Sequence, residues 1–257
     1  MSLVLVSVLA VTPNGFAGTR SCDQIRINGS NVWFPISIRH EGAENLSGVF
    51  PDLAQKIFRS MQVDVAFGAE VPWKRVFVQL ESGEIDMVAG AYHTKDRARN
   101  YVLSSPVIKE PVAIFVRADM TDRPGSLDEL IGLQGLAPFG ATFGEEFDNF
   151  AKEHLTINRQ SFDDFSTNME LLVDGKADYL VIARHAGDMM LKDLGVEGQV
   201  EALPWPALEN SLHYMFSKKS PCLKHISAFQ KELEKRVEAG EAANMMKAFN
   251  TSTRGQE

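Results

Sequence analysis

The chain has 257 residues, of which 44% are hydrophobic and 23% are charged, and its formal net charge is −8 at pH 7. This composition is ordinary for a soluble globular protein and supplies enough apolar residues for one large domain or two modest ones. The acidic balance argues against a nucleic-acid surface, which needs clustered Lys and Arg. The two cysteines and six histidines have no metal-ligand spacing, so we expect neither a metal nor a cofactor.

Residues 1–20 have several features of a secretory signal peptide. The apolar stretch from Leu3 to Val11 is too short for a bilayer, which needs roughly 20 residues, and small residues at Ala17 and Gly18 suit cleavage. No Lys or Arg precedes the stretch, so a misplaced start codon or a buried first strand is the alternative. A cleaved signal predicts a periplasmic protein.

Short apolar runs alternate with helical patterns from residue 24 onward. A β-α-β-α-β order of this kind predicts a largely parallel sheet covered by helices. The predicted elements are strands at 24–29, 63–67 and 85–90 and helices at 50–61 and 72–83.

The same alternation starts again at residue 111. A helix at 126–132 would open with a capping box of Ser126 and Glu129. The other predicted elements are strands at 111–117, 177–183 and 212–220, a turn and helix at 139–153, a helix at 162–175, and two helices at the end of the chain.

Two α/β blocks followed by helices predict two lobes. The chain would cross between the lobes at its Pro-flanked segments, 106–111 and 204–206. The predicted division is a signal peptide at 1–20, a first lobe at 21–112 plus 208–257, and a second lobe at 113–207.

Motifs of catalysis are missing from the sequence. It contains no G-x-S-x-G, H-E-x-x-H, Walker A or G-x-G-x-x-G pattern, so we predict no catalytic residues. Ligands of open α/β sheets bind beyond the carboxyl ends of the strands, and "AYHTKDR" follows the strand that ends at Gly90. There Arg97 would offer a planar donor fork to a carboxylate; the alternative is a surface arginine that pairs with Asp96 or Glu110.

Four segments occur in the order and spacing of a known family. They are "GVFPDLAQKI" (48–57), "LESGEIDMVAG" (80–90), "TKDR" (94–97) and "SSPV" (104–107). Together they resemble the family 3 extracellular solute-binding proteins, periplasmic receptors for polar amino acids, over about 24–249. The resemblance implies a type II periplasmic binding protein-like fold, in which two mainly parallel α/β lobes are joined by a two-segment hinge.

The resemblance also implies which residues bind the ligand. Arg97 matches the arginine that holds the ligand carboxylate. In the second lobe, main-chain N–H groups of a turn would reach the same carboxylate. The other implied ligand-binding positions are Trp33, Trp73, Gly90 and Tyr92 in the first lobe, and Gly140, Ala141, Thr142, Ala183 and Arg184 in the second.

The sequence departs from the family pattern at residue 183. Amino-acid receptors of the family carry an acidic residue there for the ligand ammonium, whereas this chain has Ala183 followed by Arg184 and His185. A buried ammonium without a carboxylate is costly. We therefore expect a carboxylate ligand that lacks a free α-amine or carries a second acidic group.

Three functions are compatible with these residues. The first is a monomeric receptor that closes on its ligand and meets a membrane permease or sensor. The second is a dehydratase-like enzyme on the same fold, with His185, Glu209 or Glu110 as acid or base. The third is a cytoplasmic effector-binding module, which requires that residues 1–20 are not a signal.

The two cysteines, Cys22 and Cys222, allow one disulfide in an exported protein. In a cytosolic protein they would be two small buried thiols.

Overall fold

The structure is a computed structural model that describes residues 22–159 and 166–252. The predicted signal peptide at 1–20 and the start of the predicted helix at 162–175 lie outside these ranges.

The described residues form eleven strands. In chain order they are β1 (Gln24–Gly29), β2 (Val32–Trp33), β3 (Ser37–Ile38), β4 (Asp64–Phe67), β5 (Met87–Tyr92), β6 (Val102–Leu103), β7 (Ile108–Arg117), β8 (Gln134–Leu136), β9 (Thr156–Asn158), β10 (Tyr179–Ala183) and β11 (Val200–Phe216).

The described residues also form eight α-helices. They are α1 (Val49–Ser60), α2 (Trp73–Ser82), α3 (Lys95–Asn100), α4 (Glu145–His154), α5 (Thr167–Val173), α6 (Arg184–Asp193), α7 (Ile226–Glu238) and α8 (Glu241–Ser252).

One sheet contains all strands except β2 and β3, which pair with each other. Its order is β4-β1-β5-β11-β7-β10-β8-β9, with β6 also paired to β11. The long strands β7 and β11 are antiparallel and lie in the middle. We call the strands β4, β1 and β5 the β5 side, and the strands β10, β8 and β9 the β10 side.

Apolar side chains pack between the sheet and the helices on both sides of β7 and β11. On the β5 side, α1 buries Phe50, Leu53 and Ile57 against the sheet. The helix α7 packs there too, with the Phe229 ring stacked 4.8 Å from the Phe58 ring. A separate cluster on the β10 side joins α5 and α6 to β10. The apolar periodicity of α1 therefore reflects burial, as the sequence predicts.

Three parts of the predicted secondary structure need correction. Residues 126–132 form only a 3-10 turn at Asp128–Leu130, and the Glu129 carboxylate accepts the N–H of Gly125, one residue before the predicted capping Ser126. The segment 203–211, predicted as a connection, belongs to β11. Its ladder to β7 is irregular around Pro206, where proline has no N–H to donate. The helices α3 and α6 were not predicted.

A disulfide joins Cys22 to Cys222, with 5.0 Å between their Cα atoms. Both residues are buried. Cys22 lies next to β1, and Cys222 lies in the turn before α7. The link ties the first described residue to the C-terminal helices, 200 positions along the chain.

Candidate functional site

A cavity of about 390 Å³ lies between the β5 side and the β10 side of the sheet. On the β5 side its wall comes from the segment after β1, the start of α2 and the end of β5. On the β10 side the wall comes from residues 138–143, α5 and the junction of β10 with α6. We call this cavity the cleft.

Seven of the ten predicted ligand-binding residues border the cleft. They are Trp33, Trp73, Tyr92, Arg97, Ala141, Thr142 and Ala183. The fold thus brings together residues from five separate segments of the chain. Whether they bind a ligand remains a prediction.

Gly90, Gly140 and Arg184 do not border the cleft. Arg184 is exposed and pairs with Asp188 one helical turn later, at 2.8 Å. Gly90 has a φ of +95°, and a Cβ there would lie 2.8 Å from Cγ2 of Ile36. It falls where the pairing of β5 with β11 shifts register, so a bulge and close packing account for this glycine.

Arg97 is placed by the helix that follows β5. Thr94 caps α3, and its Oγ1 accepts the N–H of Arg97 at 3.1 Å. The Arg97 guanidinium donates to the Tyr92 carbonyl at 2.8 Å and lies 4.9 Å from the centre of the Phe77 ring. The alternative of a surface arginine is wrong, because only 9% of Arg97 is exposed.

No carboxylate of a described residue lies within ion-pair distance of the Arg97 guanidinium. Burial lowers the pKa of Arg97 to about 10, and the nearby charge of Asp148 acts in the opposite direction. A buried guanidinium without a carboxylate partner among the described residues is an unfavourable arrangement that an anion in the cleft would relieve.

The turn before α4 has its polar groups occupied from within the chain. Asp148 accepts the N–H of Phe143 at 3.3 Å, the N–H of Gly144 at 3.4 Å and the hydroxyl of Thr142. The N–H of Ala141 donates to Pro138 at 3.2 Å. The Thr142 hydroxyl and the N–H of Ala141 are therefore already bonded within the chain, and no sequence motif indicated the role of Asp148.

Aromatic side chains form much of the remaining wall. The Trp33 and Tyr92 rings pack with their centres 5.0 Å apart, and Trp73 meets Phe77 edge to face at 4.8 Å. Opposite them, Phe139 of the β10 side lies under Lys74 of α2, with Nζ 3.8 Å from the ring centre. This wall suits a flat or apolar ligand body.

The charged residues that border the cleft, among those described, are Arg97, Lys74 and Glu70. Ala183 immediately precedes α6 and offers no carboxylate to the cleft. Sequence reasoning missed Asn168, which also borders the cleft and is 2% exposed. Its Oδ1 has no hydrogen-bond partner among the described residues.

The candidate acid–base residues are not arranged around the cleft. Glu209 pairs with Lys109 at 3.4 Å, and both side chains are more than half exposed. Glu110 is fully buried behind Tyr92 and does not border the cleft. His185 Nδ1 lies 3.8 Å from Glu110 Oε1.

The structure resembles solved solute-binding proteins. It matches a variant of ArgBP from T. maritima at 18% identity and a TM-score of 0.74, over 89% of this chain and 96% of that one. A structure from work on glutathione import via GshT and the cystine ABC importer TcyBC of Streptococcus mutans matches at 21% identity and a TM-score of 0.74. The match covers 88% of this chain and 94% of that one. The ancestral amino-acid-binding protein AncCDT-1, a precursor of cyclohexadienyl dehydratase, matches at 19% identity and a TM-score of 0.71. The match covers 88% of this chain and 95% of that one.

These likenesses confirm the predicted fold class, a type II periplasmic binding protein-like α/β fold. No described helix is both long and apolar enough to cross a membrane. No curated protein matches the chain by sequence. The model of the bacterial extracellular solute-binding proteins, family 3, matches residues 25–252. The chain therefore belongs to the family 3 extracellular solute-binding proteins.

Proposed function

We propose that this protein is a periplasmic receptor that closes on a small carboxylate-bearing ligand and presents it to a membrane permease or a sensor. The observation that carries the proposal is Arg97, a buried guanidinium at the cleft without a carboxylate partner among the described residues. A ligand carboxylate would supply that partner as a charge-assisted, bidentate hydrogen bond.

The lining of the cleft narrows the ligand class. The rings of Trp33, Tyr92 and Trp73 would cover an apolar or flat body. Because Ala183 replaces an acidic residue, a free α-ammonium beside it would lose its water without gaining a carboxylate from this position, and Glu70 is the one acidic residue among the described lining. The ligand is therefore a carboxylate without a free α-amine, or one with a second acidic group that Lys74 would bind.

The family and the fold support a receptor with a periplasmic location. We propose a first lobe of residues 21–112 plus 208–257 and a second lobe of residues 113–207, with hinge closure between them. The protein would act as a monomer. N-terminal sequencing of the native protein tests export: an intact residue 1 would favour the cytoplasmic module.

A thermal-shift screen of the mature protein tests the ligand class. The panel contains matched pairs of amino acids and their deaminated analogues, together with dicarboxylates. A ligand at about 100 times its Kd adds roughly 2.7 kcal/mol to the stability of the folded state. We expect hits among the deaminated acids or the dicarboxylates, lost in Arg97→Ala and kept in Arg184→Ala.

Other outcomes of the screen contradict the proposal in distinct ways. Tight binding of plain cationic amino acids would overturn the ligand class. A hit kept in Arg97→Ala would overturn the role of Arg97. Chemical conversion of a hit during incubation would show the dehydratase-like function instead of binding alone.

A further inference from the structure

The fully buried carboxylate of Glu110 lies between the two sides of the sheet. Glu110 is on β7, whose neighbours are β11 and β10. Tyr92 ends β5 on one side, and His185 follows β10 on the other. One carboxylate therefore lies within reach of groups from both sides of the cleft.

The contacts of Glu110 are only partly formed. Its Oε2 accepts the Tyr92 hydroxyl at 2.9 Å, whereas His185 Nδ1 stands 3.8 Å from Oε1. The Trp33 indole N–H also faces this carboxylate. Glu110 Oε1, His185 Nδ1 and Trp33 Nε1 are all buried and have no hydrogen-bond partner among the described residues. Buried polar atoms are rarely left this way, so the cluster is poised to complete these bonds.

The charge of Glu110 depends on the polar groups around it. Burial raises the pKa of Glu110, and the nearby polar groups of His185, Tyr92 and Trp33 oppose that shift. The distance of 3.8 Å to His185 exceeds hydrogen-bond length, and a small movement of α6 toward β7 would close it. The result would be a charge-assisted bond in a site closed to water.

We propose that Glu110 is the positioning residue of the cleft: it fixes Tyr92 and Trp33 and joins them to His185 at the start of α6. This inference rests on the proposed receptor function. The polar atoms of Tyr92 and Trp33 then turn toward Glu110, so the ring faces of both residues border the cleft. A ligand that touches both this wall and Ala183 selects the arrangement in which Glu110 and His185 are bonded.

Fluorine NMR of the full chain labelled with 5-fluorotryptophan tests the inference without any ligand. The chain has three tryptophans, at 33, 73 and 205, so each resonance is assigned by one Trp→Phe variant. We expect Glu110→Gln and Tyr92→Phe to move the Trp33 resonance. His185→Leu should move it too, and this effect should be lost in the Glu110→Gln background.

The control is the exposed pair of Lys95 and Glu145, which also joins the two sides, at 3.0 Å. Glu145→Gln should leave the Trp33 resonance in place, and an unmoved Trp205 resonance shows that each variant is folded. The inference is overturned if His185→Leu does not move the Trp33 resonance. It is also overturned if His185→Leu moves this resonance equally whether residue 110 is Glu or Gln. Because no ligand is added, this result is independent of the ligand screen.

Discussion

Nη1 of Arg97 donates to the carbonyl of Tyr92 at 2.8 Å, so the last residue of β5 fixes the guanidinium at the edge of the cleft. This bond uses one of the five N–H groups of an arginine side chain. The remaining donors have no carboxylate within ion-pair distance among the described residues. Arg97 therefore favours binding of an anionic ligand at a cost to the stability of the folded protein.

Arg97→Met is expected to separate these two effects. Removing a buried charge that has no carboxylate partner among the described residues should leave the free energy of unfolding within about 1 kcal/mol of wild type, or raise it. Binding of any hit from the ligand screen should be lost. Urea unfolding of the variant measures the first effect, and calorimetry measures the second.

The control for Arg97→Met is Arg26→Met. Arg26 lies 3.8 Å from the buried carboxylate of Asp86 and donates to the Gly83 carbonyl at 2.9 Å. Its loss should destabilise the fold by about 1–3 kcal/mol. A larger loss of stability for Arg97→Met than for Arg26→Met would contradict our account.

Ala183→Asp should restore recognition of a free α-amine. Ala183 borders the cleft and precedes the first residue of α6, where an acidic side chain also favours the helix. We expect the ratio of affinities for an amino acid and its deaminated analogue to rise by about tenfold or more, or roughly 1.4 kcal/mol. Calorimetry with the pair measures it, and Arg184→Asp, outside the cleft, should leave the ratio unchanged.

Glu110 should give the stability of the fold a distinctive pH dependence. Burial raises the pKa of Glu110 in the folded state above its ordinary value of 4.5. The folded state then binds more protons than the unfolded state as pH rises from 4.5, so this contribution to stability is lost with rising pH. Urea unfolding should show wild type losing stability relative to Glu110→Gln over this range. A constant difference between the two would contradict the raised pKa.

Gly90→Ala should cost more stability than its backbone angle alone explains. Gly90 and Gly42 have φ angles of +95° and +73°, but only the new Cβ at 90 would meet a neighbour, Ile36, at 2.8 Å. Gly42→Ala should cost about 1 kcal/mol and Gly90→Ala about 2–3 kcal/mol. Equal losses on urea unfolding would show that packing at Ile36 is unimportant.

The disulfide of Cys22 and Cys222 should contribute strongly to stability. A crosslink that closes a long loop stabilises a fold by about 2–4 kcal/mol, chiefly through the unfolded chain. The paired variant Cys22→Ser/Cys222→Ser should unfold at correspondingly lower urea. Thiol titration of the unfolded protein should find two thiols only after reduction; two thiols without reductant would contradict the bond.

The sequence predicted the elements whose apolar residues repeat regularly. The helix with Leu53 and Ile57 was predicted because burial of one face imposes a period on its sequence, and the strand through Val88 because it is a continuous apolar run. The helix α6 was missed, since it contains Gly187, which packs so closely on Phe115 that a Cβ there would lie 2.2 Å from the ring. A glycine inside a helix weakens every local signal for that helix.

The resemblance to the family predicted part of the lining of the cleft. Arg97, Trp33 and Tyr92 were placed by resemblance, and the structure brings them to one cavity. The contacts of Glu110 with Tyr92 and His185 were not predicted, because they join separate segments of the chain. Such contacts leave no local pattern in a single sequence.

The continuous sheet through β7 and β11 has a mechanical consequence. Since both crossing segments are strands of the sheet that joins the β5 side to the β10 side, opening the cleft would bend that sheet. The deformation would concentrate where the ladder is already irregular, between Ala202 and Leu208. The bending stiffness of this irregular stretch would then set how far the empty cleft opens.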